Sequence, residues 1–171
     1  MARIIGTLLL LAGSSGMAYL YCNEQKQRLA VLRSMKEIFV RIKKEIEYLK
    51  AAIPEICQKL STQEIAFKEV FKNIHRELEL NNGCSFKEIW QRHFDEGLKK
   101  IPLKEAEKEM IKSFPESLIY RDSEGQADGT EKYIDEITKY VDDLNAAIKS
   151  KNKVVMCMGV MAGMITVVIL F

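Results

Sequence analysis

Residues 127–171 read ADGTEKYIDEITKYVDDLNAAIKSKNKVVMCMGVMAGMITVVILF, and this stretch decides the fold. Its first part carries apolar or small residues at alternating spacings of three and four, which is typical of a helix packed against another helix. These residues are Ala127, Thr130, Ile134, Ile137, Val141, Leu144 and Ile148. After three lysines, residues 154–171 hold no charged side chain and would reach about 27 Å as a helix. The stretch therefore predicts one continuous helix that leaves a polar domain and enters a membrane.

A second uncharged run lies near the start of the chain, at residues 4–21. One interpretation is a signal peptide cleaved after Ala18, because small residues stand there at the right spacing. We favour a retained span, because Lys26, Arg28 and Arg33 follow it closely and a second span would give the C-terminal one a partner. The sequence thus predicts a transmembrane helix at residues 1–22, a helical domain at 23–153 and a transmembrane helix at 154–171.

The basic residues predict how this arrangement faces the membrane. Lysine and arginine cluster on the domain side of both runs, whereas only Arg3 lies beyond them. The positive-inside rule then places residues 23–153 in the cytoplasm and both termini across the membrane. Small residues four apart in each run would let the two spans pack closely: Ala12 with Gly16, and Gly159 with Gly163. The alternative is that glycine is simply common in membrane helices.

A second seam of apolar residues follows the first run and matches the C-terminal one in spacing. Its residues are Leu32, Met35, Phe39, Ile42, Ile46, Leu49 and Ile53. We expect this helix to stop at Pro54, whose ring does not fit a helix interior. Two long seams of similar length predict an antiparallel stalk, and the partner of each seam is either the same chain or a second copy.

Shorter helices are predicted between the two seams. Ser61 with Glu64 and Ser85 with Glu88 each fit a capping box that opens a helix. Trp90 follows the second box, where core packing is favoured over a role as partner anchor. Since no stretch shows sustained period-two alternation, the predicted fold class is all-α, a helical bundle with two long antiparallel helices.

The composition excludes several classes of protein and site. A chain of 171 residues with 47% hydrophobic and 29% charged residues is too polar for a wholly membrane-embedded protein and too apolar for a disordered one. A net charge of +2 argues against nucleic-acid binding, which needs a basic face. The four cysteines and two histidines show no metal-ligand spacing, and no phosphate loop or serine elbow is present. We therefore expect no enzyme activity, no metal and no cofactor.

Five short strings, in order along nearly the whole chain, resemble the stage III sporulation protein AB family of endospore-forming bacteria. They are residues 45–48 with 53–55, 85–90, 103–114, 122–126, and the basic-then-glycine run at 151–163. The positions that match the family's motifs are Glu45, Tyr48, Pro54, Trp90, Phe114, Asp122 and Gln126. Ala52, Pro115, Ile119 and Arg121 depart from the pattern, which affects the turn at 115–125 rather than the long helices.

The resemblance implies a component of the channel or secretion-like complex that links mother cell and forespore. It implies a location in the mother-cell membrane around the forespore, and a cytoplasmic domain similar to those of the type II secretion platform protein. The implied partners are the complex's other membrane proteins, its secretion-type ATPase and the lipid bilayer.

Two hypotheses for function follow. The first is a non-catalytic assembly platform that docks partner subunits and the ATPase. The second is a membrane adaptor or receptor whose stalk homodimerises through the Leu32–Ile53 seam and transmits a signal.

Overall fold

The structure is a computed structural model that describes residues 2–80, 83–118 and 123–170, and within these residues its regular secondary structure is helical, with no strand. The all-α prediction is confirmed. Six α-helices and one short 3-10 helix follow one another along the chain. They are α1 (Ala2–Leu49), α2 (Ile53–Thr62), α3 (Lys68–Glu79), α4 (Phe86–Leu98), α5 (Glu105–Lys112), the 3-10 helix (Phe114–Leu118) and α6 (Ser123–Leu170).

The chain divides into two compact units. The terminal unit consists of Met1–Leu29 and Asp142–Phe171, and the central unit is Ala30–Val141. Both long helices contribute to each unit, because α1 and α6 each run through a unit boundary. The domain borders predicted at residues 22 and 153 mark where the chain would enter a membrane. The division into compact units does not test them, and they stay predictions.

In the central unit, α1 and α6 lie side by side in opposite directions. The rings of Phe39 and Tyr133 are 5.2 Å apart, and one turn further along α1 the Lys43 ammonium lies 3.2 Å from the Glu131 carboxylate. The seam residues of this unit that are at most 3% exposed are Leu32, Met35, Phe39, Ile42, Ile46, Thr130, Ile137 and Val141. Most of the two seams is therefore buried within one chain.

An aromatic cluster joins the short helices to this pair of long helices. Trp90 of α4 is fully buried, and its ring lies 4.4 Å from that of Phe94 and 5.2 Å from that of Phe114. The Trp90 indole N–H donates a hydrogen bond of 3.0 Å to the carbonyl oxygen of Ile111. Phe114 in turn stacks on Phe39 of α1, with ring centroids 4.3 Å apart. Each such ring pair adds about 0.5–1.5 kcal/mol beyond area burial, so the cluster holds the short helices in place.

The end of α1 differs from the prediction. The helix ends at Leu49 rather than running to Pro54, because Lys50 adopts a left-handed conformation with φ of 51°. The amide of Ala51 then donates a hydrogen bond of 3.2 Å back to the carbonyl of Glu45, which satisfies a free group at the helix end. Pro54 lies in the first turn of α2, where its missing N–H leaves no helical hydrogen bond unmade.

One of the two predicted capping boxes is wrong. Ser61 lies in the last turn of α2, and its hydroxyl donates a hydrogen bond of 2.7 Å to the carbonyl of Gln58. A capping pattern is a local preference, and burial of Leu60 keeps α2 running past it. The start of α3 is set instead by Phe67, with a left-handed φ of 65°.

The box at Ser85 is confirmed. The Ser85 hydroxyl accepts a hydrogen bond of 3.3 Å from the Glu88 amide, and the Glu88 carboxylate accepts one of 2.8 Å from the Ser85 amide. These bonds satisfy two backbone donors at the start of α4 and place Trp90 on its inner side.

In the terminal unit, segments of α1 and α6 lie beside each other. The Cys22 thiol contacts the carbonyl of Asn152 at 3.8 Å, and the side chains that are at most 7% exposed include Ala18, Cys22, Leu29 and Ile148. Among the residues that the structure describes, no helix is both long and apolar enough to cross a membrane, so the two predicted transmembrane helices are not supported.

Candidate functional site

The motif positions fall into a buried group and a group at the surface. Trp90 and Phe114 are fully buried in the aromatic cluster, so their role is to hold the fold. Gln126 is half-buried near the start of α6, where its carbonyl accepts a hydrogen bond of 2.7 Å from the Thr130 hydroxyl. Asp122 lies outside the described residues. The remaining three, Glu45, Tyr48 and Pro54, stand where α1 gives way to α2.

Most of the predicted stalk residues are buried, two are half-buried and one lies at the surface. In the central unit Ile134 is half-buried, whereas Leu49 is 62% exposed. In the terminal unit Leu144 is half-buried and Ile148 is buried. The prediction placed Leu49 in the seam, but the left-handed Lys50 that follows it ends the helix there. Leu49 therefore lies at the surface.

The predicted contacts between small residues of the two runs stay a prediction. The surroundings of Ala12 and Gly163 lie outside what the structure describes. At Gly16, an added Cβ atom would meet no described heavy atom within 4 Å. Gly159 is half-buried.

The junction of α1 and α2 is a braced corner, which we call the α1–α2 corner and define by Glu45, Tyr48, Leu49, Lys50, Pro54 and Lys59. The Lys59 ammonium of α2 lies 2.5 Å from the Glu45 carboxylate of α1, which ties the two helices together. Both ends of the turn are shaped by the backbone, since Lys50 is left-handed and Ala52 is extended at the N-cap of α2. The corner thus has a defined geometry.

Two neighbouring apolar side chains point outward from this corner. Tyr48 is 73% exposed and Leu49 is 62% exposed. A single exposed apolar residue, such as Leu80 at 64%, is common on protein surfaces. An adjacent tyrosine and leucine on a braced backbone are different, because aromatic residues are enriched among those that carry binding energy in interfaces. The corner is therefore the candidate interaction site of the central unit.

The outer face of α4 carries an open groove, and two of the charged side chains that line it form ion pairs. The groove has a volume of about 620 Å³ and is lined by Cys84, Arg92, Asp95 and neighbours. The Arg92 guanidinium lies 2.5 Å from the Glu77 carboxylate, and the Asp95 carboxylate lies 2.8 Å from the Lys112 ammonium. Such pairs are what a solvated helix face carries, and they give no nucleophile and base in contact.

The Cys57 thiol and the Tyr133 hydroxyl are held in their neutral forms. Burial raises the pKa of the Cys57 thiol to about 12. Burial is also the main cause that raises the pKa of Tyr133, whose hydroxyl donates a hydrogen bond to the carbonyl of Met110. A thiol that keeps its proton at neutral pH is a poor nucleophile. In the described ranges, no group of three or more histidine, cysteine, aspartate or glutamate side chains could hold a metal ion.

Comparison with protein families decides which family the chain represents. The family model of stage III sporulation protein AB matches residues 3–171. The chain belongs to the stage III sporulation protein AB family. A role in sporulation follows from this membership. Neither the curated proteins nor the solved structures include a match to the chain.

Within this family member, the sequence contained a signal for the exposed corner that our prediction missed. The residue before a proline is biased away from the helical conformation, so a helix is expected to end before Ile53. Lys50, Ala51 and Ala52 are then the connection, and Tyr48 and Leu49 fall in the last turn of α1. The family resemblance marks Tyr48 as a motif position. It does not predict that the Tyr48 side chain is exposed, because that depends on how the corner folds.

Proposed function

We propose that this sporulation protein is a non-catalytic assembly component of the complex that links mother cell and forespore. In this proposal the α1–α2 corner docks the cytoplasmic secretion-type ATPase of the complex. The observation that carries the proposal is the exposed pair Tyr48 and Leu49 on a corner braced by the Glu45–Lys59 ion pair. We name an ATPase as the partner because the family resemblance implies one on the cytoplasmic side.

The burial of the seams favours this proposal over the adaptor hypothesis. A homodimer through the Leu32–Ile53 seam needs those side chains at the surface, but Leu32, Met35 and Phe39 are fully buried within one chain. Breaking the contacts that already bury them costs about 1.5–3 kcal/mol for each large side chain, which dimer contacts would have to replace. The corner needs no such rearrangement.

The proposal includes attachment to the mother-cell membrane through the two uncharged runs, with residues 23–153 in the cytoplasm. Its support is in the sequence, where residues 4–21 and 154–171 hold no charged side chain. Apolar side chains are also exposed on α6 of the terminal unit, where lipid would cover them; they include Met158, Met161, Ile165 and Val168. Alkaline carbonate extraction of membranes tests this part. An anchored chain stays in the membrane pellet, and release into the supernatant would contradict the anchor.

A complementation experiment in sporulating cells tests the docking part. Cells lacking the protein receive the wild type, the double variant Tyr48→Ala/Leu49→Ala, or the single variant Leu80→Ala. Leu80 is a matched control because it is as exposed as Leu49 and lies outside the corner. We expect the double variant to give the low spore yield of the deletion strain and Leu80→Ala to give the wild-type yield. Wild-type yield from a double variant present at normal abundance would contradict docking at the corner.

A further inference from the structure

The terminal unit contains a cavity that the proposed docking function does not use. It has a volume of about 310 Å³ and lies between segments of α1 and α6. Pockets that bind small molecules begin at about this size. The side chains that line it include Tyr19, Cys22, Lys26, Asn152, Lys153 and Met156.

The charged residues of this cavity are all basic. Lys26 comes from α1 and Lys153 comes from α6, and no acidic residue is among the lining residues. Neither lysine forms an ion pair with a described residue. Two unneutralised ammonium groups on opposite helices favour a ligand with negative charge between them.

A buried polar atom in the wall of the cavity lacks a partner. The Asn152 side-chain oxygen is shielded from solvent, yet it has no hydrogen-bond partner among the described residues. Leaving such an acceptor unsatisfied is unfavourable, so the cavity favours a ligand that also donates a hydrogen bond. The Cys22 thiol contacts the backbone carbonyl of Asn152 rather than this oxygen, so it does not relieve the deficit.

Exposed apolar side chains form part of the same lining. Tyr19 is 62% exposed and Met156 is 41% exposed. A ligand that covers them needs an apolar part beside its anionic one. The cavity therefore combines the three features of an anionic lipid headgroup site: cations, a hydrogen-bond acceptor and an apolar border.

We propose that this cavity binds the headgroup of phosphatidylglycerol. The phosphate lies between the Lys26 and Lys153 ammonium groups, a glycerol hydroxyl donates to the Asn152 side-chain oxygen, and the acyl part lies along Met156 and Tyr19. The proposal rests on the membrane attachment in the proposed function. Free phosphate satisfies the lysines but leaves the apolar side chains uncovered, and phosphatidylcholine brings a cation and no hydroxyl.

Native mass spectrometry of the full-length, detergent-solubilised protein tests the site. The protein is titrated with phosphatidylglycerol, phosphatidylcholine, phosphatidic acid or inorganic phosphate. We expect one phosphatidylglycerol per chain in preference to the others. Since each lysine near an anionic headgroup adds about 1 kcal/mol, Lys26→Gln/Lys153→Gln should weaken this binding about thirtyfold.

The matched control variant loses two positive charges close to the cavity but not in its lining. Lys149→Gln/Lys151→Gln removes two lysines of the same basic cluster that do not line the cavity, and it should keep wild-type affinity. Asn152→Leu should abolish the preference for phosphatidylglycerol over phosphatidic acid, because it removes the acceptor of the glycerol hydroxyl.

The outcomes separate this proposal from the membrane anchor. Equal losses in both lysine pairs would overturn the site, because they would show diffuse attraction to any nearby charge. Equal binding of inorganic phosphate and phosphatidylglycerol would overturn it as well. A chain that stays in the membrane pellet after carbonate extraction but retains no phosphatidylglycerol would contradict the headgroup site and leave the anchor intact.

Discussion

The Tyr140 hydroxyl of α6 donates a hydrogen bond of 2.9 Å to the carboxylate of Glu107, a residue of α5 that is fully buried. The same carboxylate accepts a hydrogen bond of 2.9 Å from the backbone amide of Lys104. Buried carboxylates need such donors, because leaving a charged group unsatisfied is costly. This contact links one of the short helices to the long C-terminal helix in the central unit.

We expect Tyr140→Phe to destabilise the central unit by about 1–3 kcal/mol, because it removes a donor from a buried carboxylate. Thermal unfolding of the full-length protein, followed by the fluorescence of its single tryptophan, Trp90, measures the effect. Tyr48→Phe is the control, since Tyr48 is 73% exposed. Equal melting temperatures for the two variants would contradict the structural role of the Glu107–Tyr140 bond.

Gly97 allows the close approach of α3 to α4. A Cβ added at Gly97 would lie 2.8 Å from a methyl carbon of Val70. We expect Gly97→Ala to destabilise the protein by about 1–3 kcal/mol through this clash, and Val70→Ala in the same chain to relieve part of that loss. In an unobstructed helix the same change would stabilise by about 1 kcal/mol. A higher melting temperature for Gly97→Ala alone would therefore contradict the packing.

Cys57 and Cys84 should differ in reactivity. Burial raises the pKa of the Cys57 thiol to about 12, so the thiol keeps its proton at neutral pH, and the side chain is also covered. Cys84 is exposed. Peptide mapping after brief maleimide treatment should find Cys84 modified and Cys57 unmodified at pH 7 and pH 9, and both modified in denaturant. Equal modification of Cys57 and Cys84 in the native protein would contradict the burial of the Cys57 side chain in α2.

Much of the fold could be predicted because its strongest signals are periodic. The seams from Leu32 to Ile46 and from Ile137 to Ile148 repeat over several turns, so each position supports the same helix and the same buried face. The Ser85 capping box was predicted well because it is complete in itself, with both side chains bonding backbone groups within one turn.

The remainder depends on contacts that a local pattern does not contain. Ser61 and Glu64 fit a capping box as well as Ser85 and Glu88 do, but packing of Leu60 extends α2 through Ser61. The left-handed conformations of Lys50 and Phe67 are also unexpected for these residue types, since glycine or asparagine is usual there.

The candidate interaction site illustrates the same limit. Tyr48 and Leu49 continue the apolar character of α1, and spacing assigned Leu49 to the seam. Their exposure follows from Lys50 turning the chain at that point, beside the Glu45–Lys59 ion pair that joins α1 to α2. The cavity at Lys26 and Lys153 was missed for a similar reason, because each lysine was interpreted only as an indicator of membrane orientation.

Binding of the purified full-length protein to the secretion-type ATPase of the complex tests the central claim most directly. Biolayer interferometry of the detergent-solubilised protein gives the affinity of the wild type, Tyr48→Ala/Leu49→Ala and Leu80→Ala. Because a residue that dominates an interface contributes about 2 kcal/mol or more, one such residue in the pair is enough for the double variant to bind at least about thirtyfold more weakly. Leu80→Ala should bind as the wild type does. Equal affinity of the double variant and the wild type, or no binding by any form, would contradict the account.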